Sequence, residues 1–253
     1  MSKSLILIDI HKFEKLISKF SFAEKWLHDV RLYFKRIDAY TTFLNRNHDS
    51  VQLPWILSER YELTGKLRDA QLQLKIAQSL PKVFKQIAVK RVDKKKRILK
   101  NWYKIYSEKQ VSRTLIWFVT YVNDLIGLSS QYDLDIFIFK QTQQFNKLKV
   151  WSDDSIHEMR KESKVLIYLL RGYPNLRDCK PLLLLKDKLV YCAKKLGKRN
   201  DLRKAYSNFQ DKVKEKSITL SSSSKNKLEN LLSIAQTIKV TILEEIKLLN
   251  LRL

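Results

Sequence analysis

The chain has 253 residues, 44% of them hydrophobic, which is enough for a core and long enough for one large domain or two small ones. Fifty Lys and Arg against 26 Asp and Glu give a net charge of +24, an excess beyond what solubility requires, and an anionic partner is expected. The two cysteines, Cys179 and Cys192, have no neighbouring histidine to complete a zinc site and read as ordinary buried thiols in a reducing compartment.

The N-terminal stretch MSKSLILIDIHKFEK carries an apolar run interrupted by Asp9 and no A-x-A cleavage site, so it does not read as a signal peptide. No segment reaches the roughly 18 uninterrupted apolar residues of a membrane span. Thr114 to Leu128 comes nearest and contains Asn123 and Asp124. A cytoplasmic protein without membrane insertion is expected.

Only four Gly and four Pro punctuate long stretches with helical apolar spacing, and the fold class is all-α. The first clear helix covers 22–46, with Trp26, Val30, Tyr33, Ile37 and Tyr40 on its apolar stripe, and Asn45 to Ser50 read as a loop. Pro54 opens the next helical stretch, which Gly65 is expected to interrupt. Pro81 separates it from a long basic helix over 82–106 that contains KRVDKKKRILK. Ser112 to Leu128 reads as a buried aromatic helix.

Ser129 to Val150 is ambiguous, since DLDIFIF alternates like a strand, but a lone strand would have no partner, and a helix or linker is expected. Asp153, Asp154 and Ser155 are placed at an N-cap, and the helix they open ends at Gly172, before Tyr173 and Pro174. Helices near 178–196 and 198–216 follow. Ser221 to Ser224 forms a short break, and Lys225 to Leu253 has the periodicity of one closing helix. Each half then amounts to a four-helix-type bundle.

Within this frame, His28, Arg31 and Lys35 are spaced i, i+3, i+7, and His157, Arg160 and Lys164 repeat the spacing in a chain with four histidines. On a helix each trio falls within about 60°. Arg36 lies about 80° from His28, Lys161 fits within the second stripe, and Tyr168 extends it by a turn. Each stripe is followed by a Gly-x-x-[Arg/Asn]-Asp element, Gly65 to Asp69 and Gly197 to Asp201, and the recurrence reads as two homologous halves.

Like charges at i, i+4 destabilise an isolated helix, so two such stripes make sense if something negative neutralises them, and the spacing suits a row of phosphates. Arginine offers a planar fork for phosphate oxygens, lysine a point charge, and histidine a donor whose protonation an anion favours. If Gly65 and Gly197 each end a helix beside the start of another, freed N–H groups and the helix dipole would also point at the anion. Lys66, Arg68, Lys198 and Arg199 flank those starts. Asp69 and Asp201 are read as structural, capping a helix or holding a stripe arginine. None of these groups is a nucleophile beside a base, and no catalytic, metal or cofactor site is assigned.

HDVRLYFKR with LTGKLRDAQL, and HEMRKESKVLIY with KLGKRNDL, resemble the conserved histidine α-helical domain (CHAD) family, over nearly the whole chain and in the same order. The resemblance implies halves at 1–140 and 141–253, related by a pseudo-two-fold axis, that together form one domain. It also implies histidine helices facing a central basic channel that binds inorganic polyphosphate without catalysis. His28, Arg31, Lys35 and Arg36 match the first family motif, and His157, Arg160, Lys164 and Tyr168 the second. Gly65, Arg68, Asp69, Gly197 and Asp201 match the paired glycine motifs.

Gln71, Asn200, Val165 and Ile167 depart from the pattern, which implies a weaker channel wall in the second half. No acidic barrel of the triphosphate-tunnel type is present, and the resemblance implies a stand-alone binding domain. The candidate polyphosphate-binding residues are His28, Arg31, Lys35, Arg36, Arg68, His157, Arg160, Lys161, Lys164, Lys198 and Arg199. Association with polyphosphate granules in the cytoplasm would follow from such binding.

Other phosphate or sulfate polyanions fit the same chemistry. Nucleic acid, single-stranded or RNA, is the main rival, because the charge and the aromatic content would serve phosphate contact and base stacking, although no nucleic-acid-binding signature is present. A phosphohydrolase would need clustered carboxylates or a nucleophile beside a base, which the sequence does not offer. Binding to anionic headgroups would lack a hydrophobic anchor.

Overall fold

The structure is a computed structural model that describes residue 8 and residues 10–45, 51–147 and 152–249. Among these residues it contains nine α-helices and no strand. They are α1 (Ile10–Ile17), α2 (Glu24–Leu44), α3 (Trp55–Ala77), α4 (Lys82–Ile105), α5 (Glu108–Leu128), α6 (Gln131–Lys147), α7 (Asp153–Arg171), α8 (Lys180–Glu215) and α9 (Ser222–Leu249). A 3-10 turn, Leu176–Asp178, precedes α8. No helix among the described residues is long and apolar enough to cross a membrane.

Local chemistry explains most of the starts. Pro54 and Pro81 stand immediately before α3 and α4, where a missing N–H does no harm. Ser107 and Gln110 form a capping box at α5, and Ser152, one residue before the expected acidic pair, caps α7 by accepting from Ser155 N at 3.1 Å. Ser221 accepts from Ser224 N at 3.3 Å, so the serine run includes the cap of α9. Of the expected 45–50 loop, Asn45 is described, and its Oδ1 accepts from Val51 N at 2.5 Å. Positions 46–50, 148–151 and 250–253 lie outside the described residues.

The ambiguous segment is helical. Ser130 and Asp133 exchange hydrogen bonds at its start, Asp133 Oδ2 accepting from Ser130 N at 2.8 Å and Ser130 Oγ from Asp133 N at 3.1 Å. Leu134, Phe137, Ile138, Gln141 and Phe145 are buried along one helical face, and this longer period overrides the local alternation. Two expectations fail. Helix α3 continues through Gly65, and α8 through Gly197, so neither glycine separates two helices. Helix α5 is not wholly buried either: Trp117 is 63% exposed and stacks on exposed Tyr121 at 6.0 Å.

Helices α2 and α7 pack against each other at the centre, α2 also against α3 and α5, and α7 also against α6 and α8. One continuous apolar core runs from Phe13 through Leu27, Phe34 and Leu115 to Leu166 and Leu189. Arg60 is fully buried at its edge, 4.9 Å from the Tyr103 ring centre and 6.0 Å from those of Trp26 and Trp102, with Nη2 donating to Ile17 O at 3.3 Å.

A smaller core lies away from the α2–α7 pair, where α3, α4, α8 and α9 contribute Ala77, Phe84, Ala88, Ala205, Phe209, Leu228 and Leu231. The rings of Phe84 and Phe209 sit 5.4 Å apart. Because Phe209 is fully buried at this junction, Phe209→Ala is expected to lower stability by about 3–4 kcal/mol. Urea unfolding followed by circular dichroism checks the loss.

Candidate anion-binding cleft

The core fixes the rotation of α2 and α7, and with it where the cationic stripes point. On α2, Leu27, Val30, Phe34 and Ile37 are buried, which turns His28, Arg31 and Lys35 to an adjacent face. On α7, Ile156, Met159, Ser163 and Leu166 turn inward, and His157, Arg160, Lys161 and Lys164 emerge beside the α2 stripe. The two stripes meet across a cleft of about 690 Å³, to which α3 adds Tyr61, Arg68 and Asp69 and α8 adds Asn200, Asp201 and Lys204. Tyr168 lines it too.

Not every candidate residue is brought there. His28, Arg31, Lys35, Arg68, His157, Arg160, Lys161 and Lys164 line the cleft, whereas Arg36, Lys198 and Arg199 do not. Arg36 lies over the Tyr33 ring at 5.4 Å. The other two follow from the continuity of α8: at 100° per residue, positions 197, 200, 201 and 204 share a side, while 198 and 199 rotate away from it. Lys198 is exposed and Arg199 is buried.

The glycines therefore act as clearance rather than as helix ends, and the expected contribution of helix N-termini at these points falls away. The Arg31 guanidinium crosses α3 at Gly65: a Cβ there would lie 2.3 Å from Arg31 Nη1. Nη1 donates to Tyr61 O at 2.9 Å, and the guanidinium sits 4.6 Å from the Tyr61 ring centre. Arg160 lies over Gly197 in the corresponding way but less tightly, its Nε 3.7 Å from where a Cβ would be. That buried Nε has no hydrogen-bond partner among the described residues.

Carboxylates enter the cleft as well, and charge reading alone had missed most of them. Asp69 accepts from Lys204 Nζ at 3.1 Å, tying α3 to α8, and Arg68 is paired with Glu24. Glu158 pairs with Lys161 at 2.8 Å. Asp38 lines the cleft beside Lys161, and burial raises its carboxyl above the usual range. Burial also raises Asp201, against the pull of Arg160. Lys204 was legible in principle, since it lies three residues after Asp201 on the same helical face. Among the described residues no group of three or more His, Cys, Asp or Glu could hold a metal ion.

The two central lysines record the crowding of charge. Burial, with Arg31 and Arg160 adding repulsion, lowers Lys35 to about 8, and burial, with Lys35, Arg160 and Arg31, lowers Lys164 to about 7. Burial lowers His157 as well. An anion in the cleft would reverse these shifts, since it favours every protonated form.

No family model matches the chain, and no curated protein does. The fold, however, is that of a known class of helical domain. A crystal structure of the CHAD domain from the plant Ricinus communis superposes with a TM-score of 0.67, over 92% of this chain and 82% of that one, at 14% identity. The chain has a CHAD-like fold.

Two predictions follow from the cleft. Gly197→Ala has room for its methyl group and is expected to stabilise α8 by up to about 1 kcal/mol, whereas Gly65→Ala must expel Arg31 from its bond to Tyr61 and gains less or loses. Thermal melts of the two variants measure the difference. The lysines give a pH dependence. In the unfolded chain they titrate near 10.4, so between about pH 7 and 10 the unfolded state holds more protons, and the ligand-free fold gains stability as pH rises. Below about 7 both are charged in the fold and the penalty is complete. Lys164→Met is expected to raise the melting temperature at pH 7 and to flatten its rise between pH 7 and 9.

Proposed function

We propose that the protein is a non-enzymatic binder of inorganic polyphosphate, or of a phosphate or sulfate polyanion of similar linear form, laid along the cleft between α2 and α7. The observation that supports it is the opposition of two cationic stripes from separate helices across one groove, with Lys35 and Lys164 depressed by burial and by each other's neighbours. Such an arrangement is unfavourable when empty and is relieved by a row of negative charges. The resemblance to CHAD sequences and the CHAD-like fold add to this reading. The cleft carboxylates are engaged with cations or dispersed among them, and metal-dependent hydrolysis finds no ligand set among the described residues.

Calorimetric titration with long-chain polyphosphate at several salt concentrations tests the proposal. Affinity is expected to fall steeply and log-linearly with salt, and saturating ligand to raise the melting temperature. Arg31→Ala and Arg160→Ala are each expected to weaken binding about tenfold or more, the scale of a charged hydrogen bond, with the fold retained. Competition by single-stranded DNA of equal charge is expected to be weak. Equal competition would favour the nucleic-acid reading, and a flat salt dependence would sink both.

A further inference from the structure

The basic run on α4 lines a second groove. Lys90, Arg91, Lys94 and Lys95 form one wall of a groove of about 380 Å³, and Lys212, Glu215 and Lys216, from the end of α8, form the other. Glu215, the sole carboxylate lining it, is already paired with Lys212. Among the described residues Lys90, Lys94, Lys95 and Lys216 make no ion pair. Cations at the end of α8 complement its negative helix terminus, but the α4 lysines sit mid-helix, where no dipole calls for them. Burial, together with Arg91, Lys66 and Lys94, lowers Lys95 below the usual lysine range.

This groove and the histidine cleft share helix α8 as a wall. Lys204 lines the cleft and holds Asp69, and Asp69 in turn acts electrostatically on Arg91 of the groove. Arg91 Nη1 donates to Asn208 Oδ1 at 2.5 Å, midway between Lys204 and Lys212. Lys204, Asn208 and Lys212 follow one another on a single face of α8 and span about 12 Å along its axis. Lys204 of the cleft and Lys212 of the groove thus bracket Arg91 along the α4–α8 seam, about 12 Å apart along the helix axis, a distance of a few phosphate units.

We propose that the α4–α8 groove is a second phosphate-binding subsite, which takes the overhanging end of a polyanion seated in the histidine cleft and so makes the protein favour long chains over short ones. The proposal rests on the cleft reading above. A chain held in the cleft presents its free end to the groove at high effective concentration, so modest groove contacts add strongly to the affinity of a long chain and nothing to that of a short one.

The test is calorimetry at fixed ionic strength with tripolyphosphate and with long-chain polyphosphate, on the wild type and on the triple variant Lys90→Ala/Lys94→Ala/Lys216→Ala. All three side chains are exposed, and an unchanged melting temperature verifies the fold. Long-chain affinity is expected to fall about tenfold, with a shallower salt slope, while tripolyphosphate binding stays as it was. Unchanged long-chain affinity, or equal losses for both ligands, overturns the subsite. Arg31→Ala/Arg160→Ala in the same titrations tests the cleft separately: tripolyphosphate binding that survives it removes the cleft reading and the subsite with it.

Discussion

Packing α2 against α7 forces two rows of cations into one cleft, and the surrounding structure is arranged around that repulsion. The rows cannot turn away, because Leu27, Val30, Phe34 and Ile37 on α2 and Met159, Leu166 and Leu170 on α7 are committed to the shared core. A pair of like charges a few ångströms apart in a half-buried setting repels by a few kcal/mol at an effective dielectric of roughly 20. Three responses are visible. Lys35 and Lys164 surrender protons more readily, Asp38, Asp69 and Asp201 supply partial neutralisation, and Arg31 spreads its charge over a carbonyl and the Tyr61 ring.

The stripes were legible because helical periodicity and scarce residue types coincide: histidine and glycine are rare here, and a trio at i, i+3, i+7 can only share a face. The all-α class followed from the shortage of Gly and Pro. The glycines misled for a physical reason. In sequence a glycine after a helical run looks like a stop, yet Gly65 serves contact between helices, leaving space for a guanidinium from α2. Nothing local distinguishes clearance from termination. The displacement of Lys198 and Arg199 from the cleft is the same error carried forward, since a helix that does not end keeps rotating. Asp38, Tyr61 and Glu158 depended on how the helices meet, which periodicity alone does not specify.

Arg60 and Arg160 show two settings for a guanidinium, one fully buried and one half-buried. Arg60 is enclosed by Trp26, Trp102 and Tyr103 and touches a carbonyl, contacts that join α1, α2, α3 and α4, while its Nε, like that of Arg160, has no hydrogen-bond partner among the described residues. Arg160 lines the cleft instead, with a glycine beneath it. The difference separates a cation that belongs to the architecture from one set against the cleft's interior.

Helix α8 runs unbroken for 36 residues, about 54 Å, and carries both the cleft positions around Asp201 and the buried Phe209 of the smaller core. Such a member behaves as a strut: the spacing between the cleft wall and the distal core is set by a continuous hydrogen-bonded rod, leaving little freedom for the wall to wrap around a visitor. Conformational adaptation then falls to the ligand. A pliable single chain of charges could fit against such a fixed wall, whereas a duplex, stiff over about 150 base pairs, could only lie across its rim.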